Sequence, residues 1–288
     1  MPPIAPDMRA RLRDLLEFYA SAGVDEALLE QPVDRFAARP ETKPARSAPA
    51  APPAAANSGI AAPRQEEAPR FAAPQGSAAI PDEAQANRAR ELAAAATSLD
   101  ELREILAGFD GCNLKLTAKN MVFSDGNPAG PLMLVGEAPG RDEDLEGLPF
   151  VGRSGQLLDR ILAAIGLDRT AAYIANVVPW RPPGNRTPTP LETEICRPFI
   201  ERQIELASPR VLVALGGPSA KLLLNTTDGI LRLRGNWRMH VTRSGKSIPT
   251  MPTLHPAYLL RNPAHKKLAW RDFLEVRARL KTLAGDPH

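Results

Sequence analysis

The sequence predicts an α/β fold: a central parallel four-stranded sheet with helices on both faces, preceded by an amino-terminal helix and a disordered linker. Three observations predict it. Short apolar runs at 132–136, 173–178, 210–215 and 247–253 alternate with segments of helical periodicity. Strands alternating with helices argue a parallel sheet covered on both sides. A Pro/Ala-rich stretch at 37–81 sets this pattern apart from what precedes it. The expected divisions are therefore 1–36, a helical segment; 37–81, a flexible linker; and 82–288, the folded domain.

Each element has its own signal. Over 7–30, Met8, Leu12, Leu15, Leu16 and Tyr19 recur at helical spacing and form one apolar stripe. Asp7 is placed as the N-cap. The stripe either docks on the chain's own domain or binds a partner protein. In 37–81, 25 of 45 residues are Pro or Ala, too little apolar surface to offset the entropy of ordering. Asp82 to Ala107 reads as a helical region with Leu99, Leu102, Ile105 and Leu106 on one face.

Strand 132–136 leads into a Gly/Pro loop, then a helix over 154–165 whose apolar residues are Leu157, Leu158, Ile161, Leu162 and Ile165. Strand 173–178 leads into a Pro-rich loop, 179–190. The next helix opens on Thr189 as N-cap, Pro190 at N1 and Glu192 at N3. That is a capping box, with the proline where its missing N–H costs nothing. Strand 210–215 meets Gly216-Gly217 and a helix over 218–224, and strand 247–253 feeds a loop that carries His255.

Composition narrows the function classes. Two cysteines give no disulfide framework and suit a reducing cytosol. No run of about 18 apolar residues predicts a membrane span, and Met1 to Ala10 lacks the order of a secretory signal. The expected setting is the cytoplasm, associated with the nucleoid in a bacterium, with the protein a monomer. The net charge of +3 is unevenly spread. Residues 1–100 hold 11 basic and 14 acidic side chains, and 101–288 hold 25 and 19. The basic excess lies with the motifs, which suits a polyanionic partner.

The most informative stretch is Gly136-Glu137-Ala138-Pro139-Gly140-Arg141-Asp142-Glu143-Asp144, followed by Gly147-Leu148-Pro149-Phe150-Val151-Gly152. It sits at the carboxyl end of a predicted strand, where open parallel sheets bind ligands. Further blocks are Tyr173 to Val178, Arg181-Pro182-Pro183-Gly184-Asn185-Arg186, and Leu254-His255-Pro256-Ala257-Tyr258-Leu259-Leu260-Arg261. In order and spacing these blocks resemble the uracil-DNA glycosylase superfamily in its family 4 form, over roughly Phe109 to Leu280. The resemblance implies a glycosylase of base excision repair that hydrolyses the N-glycosidic bond of a flipped-out deoxyuridine in DNA.

Family 4 enzymes usually hold a [4Fe–4S] cluster on four cysteines, and cluster ligation normally takes four thiolates. This chain has only Cys112 and Cys196; by alignment Phe109 and Trp180 stand at the other two positions. No cofactor or metal is therefore expected, and the two cysteines read as small buried hydrophobes.

The resemblance also assigns roles. Phe150 would stack on the base. Asn176, at a strand end, offers a donor and an acceptor together, which would match uracil's O4 and N3–H. Gly136 and Ala138 would complete the uracil pocket. His255 would aim a neutral N–H at O2, where negative charge grows. Glu137 and Asn185 are the catalytic candidates on the water side; related family 1 enzymes carry an Asp where this chain has Ala138.

DNA-binding candidates are Arg153, Ser154, Arg186, Leu259, Leu260 and Arg261, with Leu260 or Arg261 entering the gap left by the flipped base. Arg181, Arg232, Arg234, Lys266 and Lys267 are further candidate phosphate contacts. Asp142, Glu143 and Asp144 read as solvated acids at a helix start. His240, His265 and His288 have no comparable context and show no metal-binding spacing. An alternative is a non-catalytic sensor of uracil or abasic sites, given weight by Ala138. A third reading, a hydrolase of nucleotides or phosphate esters, lacks any metal-ligand pair in the sequence.

Overall fold

A computed structural model describes residues 82–285. The helix expected over 7–30, the linker at 37–81 and any partner contact made through that helix lie outside the described residues.

The helical region expected from Asp82 is two helices, α1 (Asp82–Ala95) and α2 (Leu99–Gly108). The break has a local cause. Ser98 caps α2 by accepting from the Glu101 N–H, and the Glu101 carboxylate accepts in turn from the Thr97 N–H at 2.6 Å. The remaining elements, in chain order, are α3 (Leu114–Thr117), β1 (Ser124–Gly126), β2 (Leu132–Gly136), α4 (Arg141–Glu146), α5 (Arg153–Ala164), β3 (Ala172–Asn176) and α6 (Pro190–Ala207). They continue with β4 (Val211–Leu215), α7 (Gly217–Leu223), α8 (Ile230–Leu233), β5 (Arg238–Val241), β6 (Ser247–Thr253), α9 (Pro256–Arg261) and α10 (Lys266–Ala284).

The strands form one six-stranded sheet in the order β1-β3-β2-β4-β6-β5. The inner four are parallel, as expected, and β1 and β5 add antiparallel edges. Neither edge has a clear sequence signal. β1 is a three-residue Ser-Asp-Gly segment, and only His240 of β5 is buried.

Alternation along the buried strands feeds two cores. Met133, Val135, Tyr173, Ala175, Leu212 and Ala214 face Leu102, Leu106, Phe199 and Ile200 of α2 and α6. Leu132, Leu134, Ile174, Val211 and Val213 face Leu158 and Leu162 of α5 and Phe273 and Val276 of α10. Full burial of each such side chain contributes about 1.5–3 kcal/mol. With both faces sealed, the free positions are the carboxyl ends of β2, β3, β4 and β6. The motif loops all leave from there.

Candidate active site

β2 and β3 are in register to their last residues, Gly136 opposite Asn176. Pairing continues past the strands, with the Val177 and Val178 N–H groups donating to the carbonyls of Gly136 and Glu137. Glycine is required at 136. A Cβ there would lie 2.3 Å from Asn176 Oδ1 and 2.7 Å from the Phe150 ring. Gly136 thus lets a side-chain amide and an aromatic ring close over the strand end.

A cavity of about 520 Å³ opens at this point. Glu137, Ala138, Phe150, Ser154, Asn176, Asn185, Arg186, His255 and Arg261 line it. Segments distant in sequence therefore converge on one site. Asn176 is 5% exposed. Its Oδ1 and Glu137 Oε1 are buried with no hydrogen-bond partner among the described residues. Buried polar atoms are normally paired, so two orphans in one cavity mark a place built for something the protein does not itself supply. Burial pushes the Glu137 carboxyl above its ordinary value.

His255 caps α9. Its Nδ1 accepts from the Ala257 N–H at 3.1 Å. That bond occupies Nδ1 as an acceptor and leaves the proton of the neutral ring on Nε2. Burial, helped by the charge of Arg261, pushes the imidazole down to about 4, so it is neutral at physiological pH. Gly216, at φ 95°, lies against it; a Cβ there would sit 3.1 Å from His255 Cβ. The Phe150 ring lies 5.4 Å from the imidazole, tilted by 30°.

The Pro-rich loop is pinned to the scaffold. The Glu192 carboxylate accepts from both arms of Arg186, at 2.8 and 2.6 Å, and from the Thr189 N–H at 2.7 Å. The capping box forms as expected, with Pro190 at N1. Asn185 sits at φ 56°, and its Oδ1 accepts from Arg181 Nε at 2.6 Å.

Several expectations need correction. Leu259 is 1% exposed and packs with Leu254 and Ala269; as part of the α9 core face it cannot reach DNA without unpacking. Leu260 is half-buried and Arg261 exposed beside it. Arg234 is held by the buried Asp272 and by the Leu268 carbonyl, so it braces α10 instead of meeting phosphate. Arg153 is exposed just outside the cavity lining and Arg232 is exposed beside Asp228 at 3.4 Å, placements that do not conflict with a phosphate contact at either.

Glu143 and Asp144 are not solvated: they are 7% and 2% exposed. Asp144 accepts from the Lys119 and Asn120 N–H groups, and Glu143 accepts from those of Gly140, Val151 and Gly152. Sequence reasoning missed these roles because a carboxylate bonding backbone leaves no spacing signature.

Cys112 and Cys196 are both buried, with sulfurs 3.9 Å apart. The contact with Cys112 and burial both push the Cys196 thiol well above the ordinary range. Phe109 and Trp180 are each 2% exposed, and the Phe109 ring packs on Phe199 at 5.1 Å. Two thiols flanked by hydrocarbon do not supply the ligand set of a four-thiolate cluster. No group of three or more metal-ligating side chains gathers among the described residues. No helix among them is long and apolar enough to cross a membrane.

Comparison with known proteins agrees with this geometry. The profile of the Uracil DNA glycosylase superfamily matches residues 123–274. The Type-4 uracil-DNA glycosylase of Archaeoglobus fulgidus is 41% identical over 183 residues, covering 62% of this chain and 92% of that protein. Its counterpart from Thermotoga maritima is 38% identical over 192 residues, covering 63% and 96%. That from Sulfurisphaera tokodaii is 38% identical over 188 residues, covering 62% and 84%.

Proposed function

The chain belongs to the uracil DNA glycosylase superfamily, and from that premise we propose that it excises uracil from DNA by hydrolysing the N-glycosidic bond of a flipped-out deoxyuridine. The enzyme class, a DNA glycosylase, follows from the family and from relatives at 37–41% identity. This sets the sensor reading aside.

One observation carries the choice of base: the buried, unpartnered Oδ1 of Asn176. Uracil N3–H would satisfy it, while the amide NH2 meets O4. Cytosine has no hydrogen on N3 and a donor at position 4, so both contacts would oppose. Leaving a buried acceptor unmade costs about 1–3 kcal/mol, which makes mismatch expensive.

In the proposed mechanism the base leaves the stack and lies on Phe150. His255, neutral with its proton on Nε2, donates toward O2 as the leaving base becomes an anion. It supplies a hydrogen bond placed where charge develops, with no proton to lose first. Glu137 and Asn185 stand on the water side, and Ala138 leaves no carboxylate at that position. Ser154 and Arg261, at the cavity, hold the strand through phosphates, and Arg186 joins them only through the guanidinium N–H groups that Glu192 does not take. The buried Cys112–Cys196 pair supports a fold that needs no iron–sulfur cluster.

The deciding experiment uses an end-labelled oligonucleotide with a single uracil, alkali treatment after incubation, and cytosine and thymine controls. Cleavage at uracil that is lost in His255→Ala supports the reading. Cleavage unaffected by that substitution, or none by the unaltered protein, overturns it.

A further inference from the structure

Phe150 adopts φ 56°, a backbone conformation that side-chain-bearing residues rarely hold. Something must keep it there, and the surrounding contacts show what does. Arg169 donates to the Pro149 carbonyl at 3.2 Å and to the Phe150 carbonyl, one acceptor in each of the two peptides that flank the ring's residue. On the carboxyl side, one oxygen of Glu143 accepts from the Val151 and Gly152 N–H groups, each at 3.1 Å. Its other oxygen accepts from the Gly140 N–H at 3.0 Å, tying this loop to the first motif turn. Arg169 is itself anchored by Asp125 at 2.5 Å and Asp159 at 2.8 Å. A cation thus gathers the two carbonyls and an anion gathers the two amides. Gly155 completes the seat, since a Cβ there would lie 1.6 Å from the Phe150 carbonyl oxygen.

We propose that Glu143 and Arg169 are positioning residues that clamp the peptide on either side of Phe150 and so fix the angle of its ring in the cavity. The proposal rests on the stacking role given to Phe150. Neither residue needs to touch the base. Each acts through the ring, and the pair is matched in charge to the backbone groups it holds. Charge-assisted hydrogen bonds are the stronger class, which suits a segment that must stay in an unfavourable conformation.

The test is a set of double-mutant cycles in the full chain. The variants are Phe150→Ala, Glu143→Gln, Arg169→Ala and Arg169→Lys, with each clamp variant also placed on Phe150→Ala. Three quantities are read: the single-turnover rate on a single-uracil oligonucleotide, the inhibition constant of free uracil, and the thermal midpoint. Glu143→Gln keeps the shape but turns a donor toward an N–H. Arg169→Lys keeps the charge but cannot fork across two carbonyls.

Each clamp variant is expected to slow single turnover by about tenfold or more and to weaken uracil inhibition by about fivefold. On Phe150→Ala, the same changes should cost less than about threefold, because the ring they position is gone. A purely structural role would shift the thermal midpoint and give multiplicative losses in both backgrounds, which would overturn the proposal. Wild-type kinetics in Glu143→Gln and Arg169→Lys would overturn it too. If Arg169→Ala fails to fold, those two variants carry the test. If Phe150→Ala retains wild-type rate and uracil inhibition, the stacking role itself falls, an outcome distinct from a clamp that fails while Phe150→Ala is impaired.

Discussion

Phe150 and His255 face each other with ring centroids 5.4 Å apart and planes tilted by 30°. A base sandwiched between them would need about 7 Å, twice the ~3.5 Å contact distance of stacked carbon atoms. A base on Phe150 must therefore present an edge to His255, the orientation in which Nε2–H meets a carbonyl oxygen.

Removing that donor should affect chemistry more than binding. His255→Ala is expected to lower the single-turnover rate by about 10²–10³-fold, the usual effect of losing one donor to a developing anion. Affinity for uracil-containing DNA should change by less than about fivefold, since phosphate contacts dominate it. Quenched-flow kinetics beside a fluorescence-anisotropy titration will separate the two; equal losses would contradict the assigned role.

The imidazole sets a pH signature. Its folded value is about 4 against an ordinary 6.5. Between these values the unfolded chain takes up a proton that the folded chain refuses. The stability contributed by a neutral His255 is therefore complete above pH 6.5 and lost as pH falls toward 4. With the other titrating group of the cavity removed as Glu137→Gln, the remaining chemical step should follow the folded His255 value, staying flat from pH 8 to about 5 and falling only near 4. A break at 6.5 in a single-turnover profile would show that the ring is charged more easily than its burial implies.

Glu137 has the opposite sign. Burial raises its value above the ordinary one, so the folded chain binds the proton more tightly and loses stability as pH rises through this interval. Glu137→Gln should raise the thermal midpoint at pH 8 and change it little at pH 4. Calorimetry at both values tests this directly, whatever the variant does to catalysis.

Gly136→Ala tests the close approach at the strand end. The new methyl would overlap Asn176 and the Phe150 ring. We expect a loss of about 1–3 kcal/mol in stability, as for other overpacked sites, and at least a tenfold drop in excision rate, measured by chemical denaturation and single turnover.

The cysteines offer a chemical test. Purified protein should be colourless and iron-free by metal analysis, and Cys112→Ala should retain uracil excision within about twofold, as expected of a small buried side chain away from the chemistry. Stoichiometric iron would refute the reading.

Much of the scaffold was legible from periodicity and punctuation. The alternating strands, the Thr189 capping box and the Gly-rich turn at Gly136 each leave a local signature, and the structure realises them within a residue or two. The edge strands escaped because a short, half-exposed segment lacks an apolar run. Within the site, His255, Asn176 and Phe150 stood out because each follows a strand or turn in a recognisable block. Glu143 and Arg169 did not, since the bonds that hold the Phe150 loop run to backbone atoms, which carry no side-chain identity, and the Asp125 and Asp159 anchors of Arg169 lie 44 and 10 residues away in sequence. Leu259 was misplaced because adjacent positions on a short helix point in different directions, and a linear motif does not say which of them faces the core.

The Glu192 carboxylate both caps the first turn of α6 and grips Arg186. The rim of the cavity and the start of a long scaffold helix thus hang on one anion. They should open together as a single cooperative unit. Amide exchange at 185–187 and in the first turn of α6 would then share one opening free energy, and a Glu192→Ala chain would release both at once while the sheet stayed closed.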